Sequence, residues 1–244
     1  MLGNLTVRGI DLSTMYGVYA TDAAVYNMPS ADVQTVSILG RSGDLIIPRN
    51  RYSNIQVRYP CVMPVYNAER MNQLRAWLLE DVGYLRIEDS FDTEHFRLGR
   101  FVGNVAVNPT MDGKAVTFEL VFDCKPQRWL IADTQHILGG SGSIEVLSQF
   151  PANPLIYVVP SSTSATSGII NIGSQRITID GAFGGGLTID SELKDVYKDA
   201  TNLNSIVTFS TGEFPVLPVG TGTINVTYSG DIARLEIDAN WWEL

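Results

Sequence analysis

The chain has 244 residues, which at ~150 residues per domain suggests one large domain or two ordinary ones. Its 45% hydrophobic and 18% charged content fits a folded globular protein, and the absence of an 18-residue apolar run or a leader-like start leads us to expect a soluble chain. A net charge of −9 argues against a general nucleic-acid binder, which normally carries a basic excess.

That charge is uneven. Residues 1–143 carry 13 basic and 15 acidic side chains, whereas residues 144–244 carry 4 and 11. Halves with such different surfaces imply two domains with different neighbours. In the first half the clearest element is a helix near 67–81. Asn67 can cap it, Glu69 puts negative charge in its first turn, Met71, Leu74 and Leu78 recur at helical spacing, and Gly83 is a natural stop. The strand Tyr84–Ile87 follows directly. Asp112-Gly113 signals a hairpin turn between strands Phe101–Asn108 and Lys114–Cys124. Along the second of these, Val116, Phe118, Leu120 and Phe122 alternate with polar residues, so one face is buried and the other wet. The two cysteines, Cys61 and Cys124, both fall within strand-like segments and are expected to be buried free thiols.

Gly139-Gly140-Ser141-Gly142-Ser143 has flexible-linker composition and places a domain boundary between residues 134 and 148. The expected division is a first domain over 1–137, a linker over 138–147 and a second domain over 148–244. The second half shows no helix pattern. Short strands recur instead: Leu155–Val159, Gly168–Ile172, Arg176–Asp180, Leu187–Asp190, Ser205–Phe209, Thr223–Tyr228 and Ile232–Trp242. In the last, Ala233, Leu235, Ile237, Ala239 and Trp241 share one face. About seven short strands with Gly and Pro turns between them predict a β-sandwich or jelly roll.

Signs of chemistry are few. His95 and His136 have no serine elbow or paired cysteine nearby, so packing or solvated roles are expected for both. Asp89, Asp92 and Glu94 lack the spacing and mid-loop glycine of a calcium loop and read as a solvated turn. Gly184-Gly185-Gly186 is followed by no Lys-Ser/Thr pair and no helix, so it reads as a turn and not a phosphate cradle. No catalytic residue, metal ligand or cofactor is therefore assigned. Trp242 and Tyr197 are the candidate docking residues, for a sugar ring or a protein partner, because aromatic side chains dominate both kinds of surface. Trp241 is expected to point inward.

Several segments together resemble the distal tail (Dit-like) protein family of siphophages and related prophages. Gly40-Arg41-Ser42-Gly43-Asp44-Leu45 is similar to its G-R-x-G-x-L turn, and Asn67 through Asp89 to its helix and following strand. Phe122–Trp129 resembles the "F-x-C-K-P" end of its first domain, and Phe150–Pro154 the entry into its second. Phe214–Gly220 matches its "F-P-x-L-x-x-G" loop, with Thr221 and Gly222 where asparagine is usual, and Asn240–Leu244 resembles its terminal strand.

The resemblance implies a mainly β chain, with an N-terminal β-sandwich-type domain carrying one α-helix and a C-terminal galectin-like β-sandwich. It implies a structural virion protein and not an enzyme: a six-fold ring joining the tail tube to the host-adhesion apparatus, assembled in the host cytoplasm. Its partners would be further copies of itself, the tail tube and tail-tip adhesins, with no membrane and no stable nucleic-acid contact, although DNA passes through the ring. The hairpin at Asp112-Gly113 or the long segment Val33–Arg58 is expected to act as the arm that reaches a neighbour. No histidine follows His136, so the H-x-N-x-R galactose site of galectins cannot be built in the second half. The alternatives are a carbohydrate-binding module, a tail-tube subunit or a hydrolase built on the acidic cluster.

Overall fold

Alternation of apolar and polar side chains organises the first half into strands. In the computed structural model, which describes residues 2–132 and 135–244, these are β1 (Leu5–Val7), β2 (Ile10–Asp11), β3 (Tyr19–Ala20), β4 (Val25–Tyr26), β5 (Ala31–Val36), β6 (Leu45–Tyr52) and β7 (Ile55–Met63). They continue as β8 (Leu85–Asp89), β9 (Asp92–Phe101), β10 (Asn108–Pro109), β11 (Val116–Cys124) and β12 (Arg128–Leu130). The helices are α1 (Leu12–Tyr16) and α2 (Ala68–Glu80).

The main sheet runs in the order β2-β1-β8-β9-β11-β7-β3, all antiparallel, with β4 also on β7 and β10 on β11. Its centre is β7 against β11, paired from Ile55↔Cys124 to Val116↔Met63. The inward residues of both strands, among them Val57, Tyr59, Leu120 and Phe122, are buried, and the rings of Tyr59 and Phe122 meet edge to face at 5.9 Å. Met71, Leu74 and Leu78 of α2 complete this core, and each large side chain so buried contributes ~1.5–3 kcal/mol.

Asn67 Oδ1 accepts from Arg70 N at 3.0 Å, so the predicted helix cap is present. The helix ends differently from the expectation. Asp81 has extended backbone, and its carboxylate accepts from Gly83 N at 2.9 Å, so Gly83 is not a left-handed stop. The one-helix expectation also needs correction, because α1 is a second helix. Asp11 caps it, accepting from Ser13 N at 2.8 Å, and Gly17 closes it at φ 70°. Both signals stand in the sequence, but five residues are too few to show a period. The expected strand Phe101–Asn108 is interrupted, since residues 102–107 form a loop whose Gly103 lies tight against Val121.

The chain forms two compact units that divide at Ile131/Ala132, with Leu244 belonging to the first. Thr134, the first residue of the expected boundary, lies outside the described residues. The second unit contains β13 (Gln135–Leu138), β14 (Gly142–Glu145), β15 (Leu155–Pro160), β16 (Ser167–Ile172), β17 (Gln175–Asp180) and β18 (Leu187–Asp190). It goes on with β19 (Asp195–Lys198), β20 (Thr201–Asn202), β21 (Val207–Phe209), β22 (Thr223–Gly230), β23 (Ile232–Asp238) and β24 (Trp242–Glu243). Two antiparallel sheets, β13-β23-β15-β18-β19-β20 and β14-β22-β16-β17-β21, form a sandwich. Ile156, Ile189, Val196 and Ile237 of one sheet and Ile144, Ile170, Ile177 and Val226 of the other fill its interior.

The Gly/Ser stretch is therefore not a linker. β13 pairs with β23 and β14 with β22, so the glycines carry the chain from one sheet to the other inside the second unit. Leu138 Cδ2 closes over Gly142, where an added Cβ would stand 2.7 Å away. The expected inward face of Ile232–Trp242 also shifts at one point. A register slip between Val159 and Pro160 turns Ala233 outward and Ile232 inward, while Leu235, Ile237, Ala239 and Trp241 stay buried. Asn240, at φ 54°, ends the strand before Trp242.

Candidate assembly surface

β5 and β6 form a two-stranded sheet of their own, paired from Ala31↔Tyr52 to Val36↔Leu45 and bonded to no other strand. Their sequence does not alternate. Leu45, Ile46 and Ile47 are consecutive apolar residues, 40%, 62% and 42% exposed, so both faces of β6 present hydrocarbon to solvent. Leu39 at the tip is fully exposed, and Val33 is exposed on β5. The tip turns through Gly40 and Gly43, both at positive φ, which L side chains rarely adopt. Ser53 N donates to Ser30 O at the root, and Arg51 Nε meets Asp32 Oδ2 at 2.6 Å across the strands. A lone two-stranded hairpin is marginal in water. Among the described residues this one pairs with no further strand, and its apolar side chains stay exposed.

A groove of about 470 Å³ runs beside the root of this hairpin, lined by Val25, Met28, Asn54, Ile55, Gln56 and Arg58. Met28 and Val25 are strongly exposed. Tyr26 lies over the guanidinium of Arg97 at 4.1 Å, and Arg97 is itself buried with no hydrogen-bond partner for Nη1.

The expected alternative arm at Asp112-Gly113 is a tight turn. Asp112 Oδ1 accepts from Thr110 Oγ1 at 2.6 Å, Gly113 has φ 68°, and Tyr66 N donates to Lys114 O beside it. Of the two candidates, the segment Val33–Arg58 contains the free-standing hairpin.

The acidic cluster is a turn between β8 and β9. Asp89 Oδ1 accepts from Phe91 N and Asp92 N, while Asp92 accepts from His95 Nδ1 at 2.8 Å and from Arg128 Nη1 at 3.2 Å. Burial raises the Asp89 carboxyl above its ordinary pKa. Burial acts the same way on Asp92, but the hydrogen bond from His95 and the charges of His95 and Arg128 outweigh it and hold that carboxyl low. Among the described residues no group of three His, Cys, Asp or Glu side chains is placed to hold a metal ion. Cys61 and Cys124 are free and buried, and burial pushes both thiols up to about 12, where they are inert.

Trp241 is fully buried. Trp242 is engaged within the second unit: its ring stacks on Phe150 at 4.5 Å and its indole N–H donates to Pro151 O at 2.9 Å. Tyr197 lies on β19, next to Thr188 of β18. No contact joins it to Trp242 among those the structure gives.

No family model matches the chain, and no curated protein matches it. Solved structures do. The crystal structure of the phage SPP1 Dit protein (gp 19.1), described as a paradigm of the hub adsorption apparatus in phages infecting Gram-positive bacteria, superposes with a TM-score of 0.67 at 14% identity over 100% of both chains. A chain of the phage P2 baseplate, in its activated conformation with calcium, gives 0.51 at 11% identity over 97% of each. The fold is that of SPP1 Dit along its whole length, mainly β with several antiparallel sheets.

Proposed function

We propose that this chain is a structural subunit of a phage tail, closing with copies of itself into a hexameric ring at the distal end. There it joins the tail tube to the adhesion apparatus of the baseplate, and no catalytic step belongs to this role. The carrying observation is the β5–β6 hairpin, which is apolar on both faces and uncovered by its own chain. A heterologous ring needs two different, complementary patches on each subunit. The hairpin is one. The groove beside Val25 and Met28 is assigned as the other, receiving the hairpin of the adjacent copy. The full-length likeness to SPP1 Dit supports the same reading. The first unit surrounds the lumen, and the near balance of residues 1–131, 13 basic against 14 acidic side chains, suits passing DNA without retaining it.

Negative-stain microscopy of the purified protein tests this. Closed rings are expected, formed alone or on adding the neighbouring tail proteins. A monomer at high concentration that adds no ring beside those proteins contradicts the reading, and stacked tubes favour a tail-tube subunit instead.

A further inference from the structure

The outer face of the second unit's larger sheet has a composition that packing does not explain. Ile156, Val158, Leu187, Ile189 and Val196 of β15, β18 and β19 point into the sandwich. Their alternate neighbours form a cross-strand row on the other side, Tyr157↔Thr188↔Tyr197↔Asn202. Two tyrosines thus stand two strands apart, about 10 Å at ordinary strand spacing, with a threonine between them. Large walls flank a small floor. Both rings are only half-buried, and among the described residues none hydrogen-bonds the Tyr157 or Tyr197 hydroxyl.

Polar groups surround this slot. Glu236 lies beside Tyr157 on β23, and the adjacent row brings Asp238, Asp190 and Asp195 along one end. Among the described residues none donates a hydrogen bond to the Asp238 carboxylate. Burial first, then the charges of Asp238, Tyr197, Asp190 and Glu236, raise the Tyr157 phenol, which keeps it protonated as a donor. At the opposite end a cavity of about 200 Å³ opens between Tyr157, Thr188, Gly185, Gly186, Lys198 and Asp199. Its cation, Lys198 Nζ, donates to Gly185 O. In the triple-glycine turn the small residue is required at Gly184, where a Cβ would meet the Thr163 backbone.

We propose that Tyr157 and Tyr197, with Thr188 as floor and Lys198 and Asp199 at one end, form a binding slot for one ring of an uncharged saccharide. Tyr157 and Thr188 belong to both the row and the cavity, which Tyr197 adjoins only through its neighbour Lys198. The cavity is smaller than the ~300 Å³ at which sites for drug-sized ligands begin, so it takes a single ring and leaves the rest of a glycan outside. Tyrosine faces present flat apolar surface to the C–H side of a pyranose, and their hydroxyls, with Asp199 and Lys198, offer donors and acceptors to its hydroxyl groups. Charge selects against anionic polymers. Residues 144–244 carry 11 acidic against 4 basic side chains, and of the two cations near the slot Lys198 is bonded to the Gly185 carbonyl and Arg234 is paired with Glu236. Trp242 has no part in the slot, because its ring and its N–H are satisfied by Phe150 and Pro151. The inference does not rest on ring formation.

The test is saturation-transfer NMR and titration of the full chain with neutral methyl hexopyranosides and N-acetylhexosamines, with poly(glycerol phosphate) as the anionic counter-probe. At least one neutral sugar is expected to saturate with a Kd near ~1 mM, and Tyr197→Ala to weaken it about tenfold. Tyr197→Phe keeps the stacking face and most of the binding, and Trp242→Phe leaves it unchanged. Tyr157→Ala serves as second variant, with circular dichroism checking that each variant is folded. The proposal is overturned if no neutral sugar saturates. It is equally overturned if folded Tyr157→Ala and Tyr197→Ala both bind as the parent does, or if the anionic polymer binds as well as the sugars.

Discussion

The first unit contains two long antiparallel strand pairs with opposite fates. β7 and β11 alternate residue by residue, and every inward side chain lies in the core. β5 and β6 have comparable pairing but no alternation, and β6 is exposed from end to end. Alternation is the signature of a sheet with one wet face, whereas apolar residues on both faces mark a strand covered on both sides. In β6 that cover is missing from its own chain. Under the proposed assembly, the contrast separates residues that fold the chain from residues that a neighbouring copy covers.

Substitutions should divide along the same line. Phe122→Ala in β11 removes a fully buried ring and is expected to lower the subunit's stability by ~3–5 kcal/mol, measured by urea denaturation. An effect within the range of surface substitutions would break the comparison at its folding end. Ile46→Asp in β6 should do the reverse. Monomer stability should stay within about ±0.5 kcal/mol, as for other exposed positions, while sedimentation shows the assembly lost. Met28→Asp in the groove is expected to give the same assembly phenotype, and a variant that still forms rings would remove the groove as the receiving patch.

Smaller effects sharpen the folding side. Asn67→Ala removes the cap of α2 and should lower stability by ~1 kcal/mol, read as a shifted denaturation midpoint. The weakest effect concerns pH. Asp92 is held below its ordinary pKa in the fold, so its contribution is present above the unfolded value of ~3.9 and disappears as pH falls through the folded value. Asp92→Asn should therefore flatten the acid limb of the stability–pH curve below about pH 4. An unchanged acid limb would show that the bonds from His95 and Arg128 contribute nothing to folding.

How far the sequence revealed all this depended on how local each cause is. α2 and β11 were legible because a cap residue and a period lie within a dozen residues. β23 was legible except at Ala233, where the slip at Val159/Pro160 depends on a strand some 75 positions away and leaves no local mark. The Gly/Ser stretch misled because linker composition and a tight crossover between sheets need the same small residues. α1 had cap signals but no length. β19 was missed, and with it the row that sets Tyr197 opposite Tyr157, since facing across a sheet is a property of register and not of either strand alone. The stacking of Trp242 on Phe150 and its bond to Pro151 left no local mark, because those partners stand some ninety residues earlier. The uncovered hairpin was visible as a long segment, while its lack of any internal partner could be read only from the folded chain.

Hydrogen exchange on the backbone amides of Leu45–Tyr52 addresses the central claim most directly, compared between the assembled particle and the Ile46→Asp monomer. Strong protection in the particle and rapid exchange in the monomer are predicted, because docking on a neighbour supplies the cover that β6 lacks. Equal, rapid exchange in both would mean that the hairpin stays free in the assembly, and the account of how subunits join would be wrong.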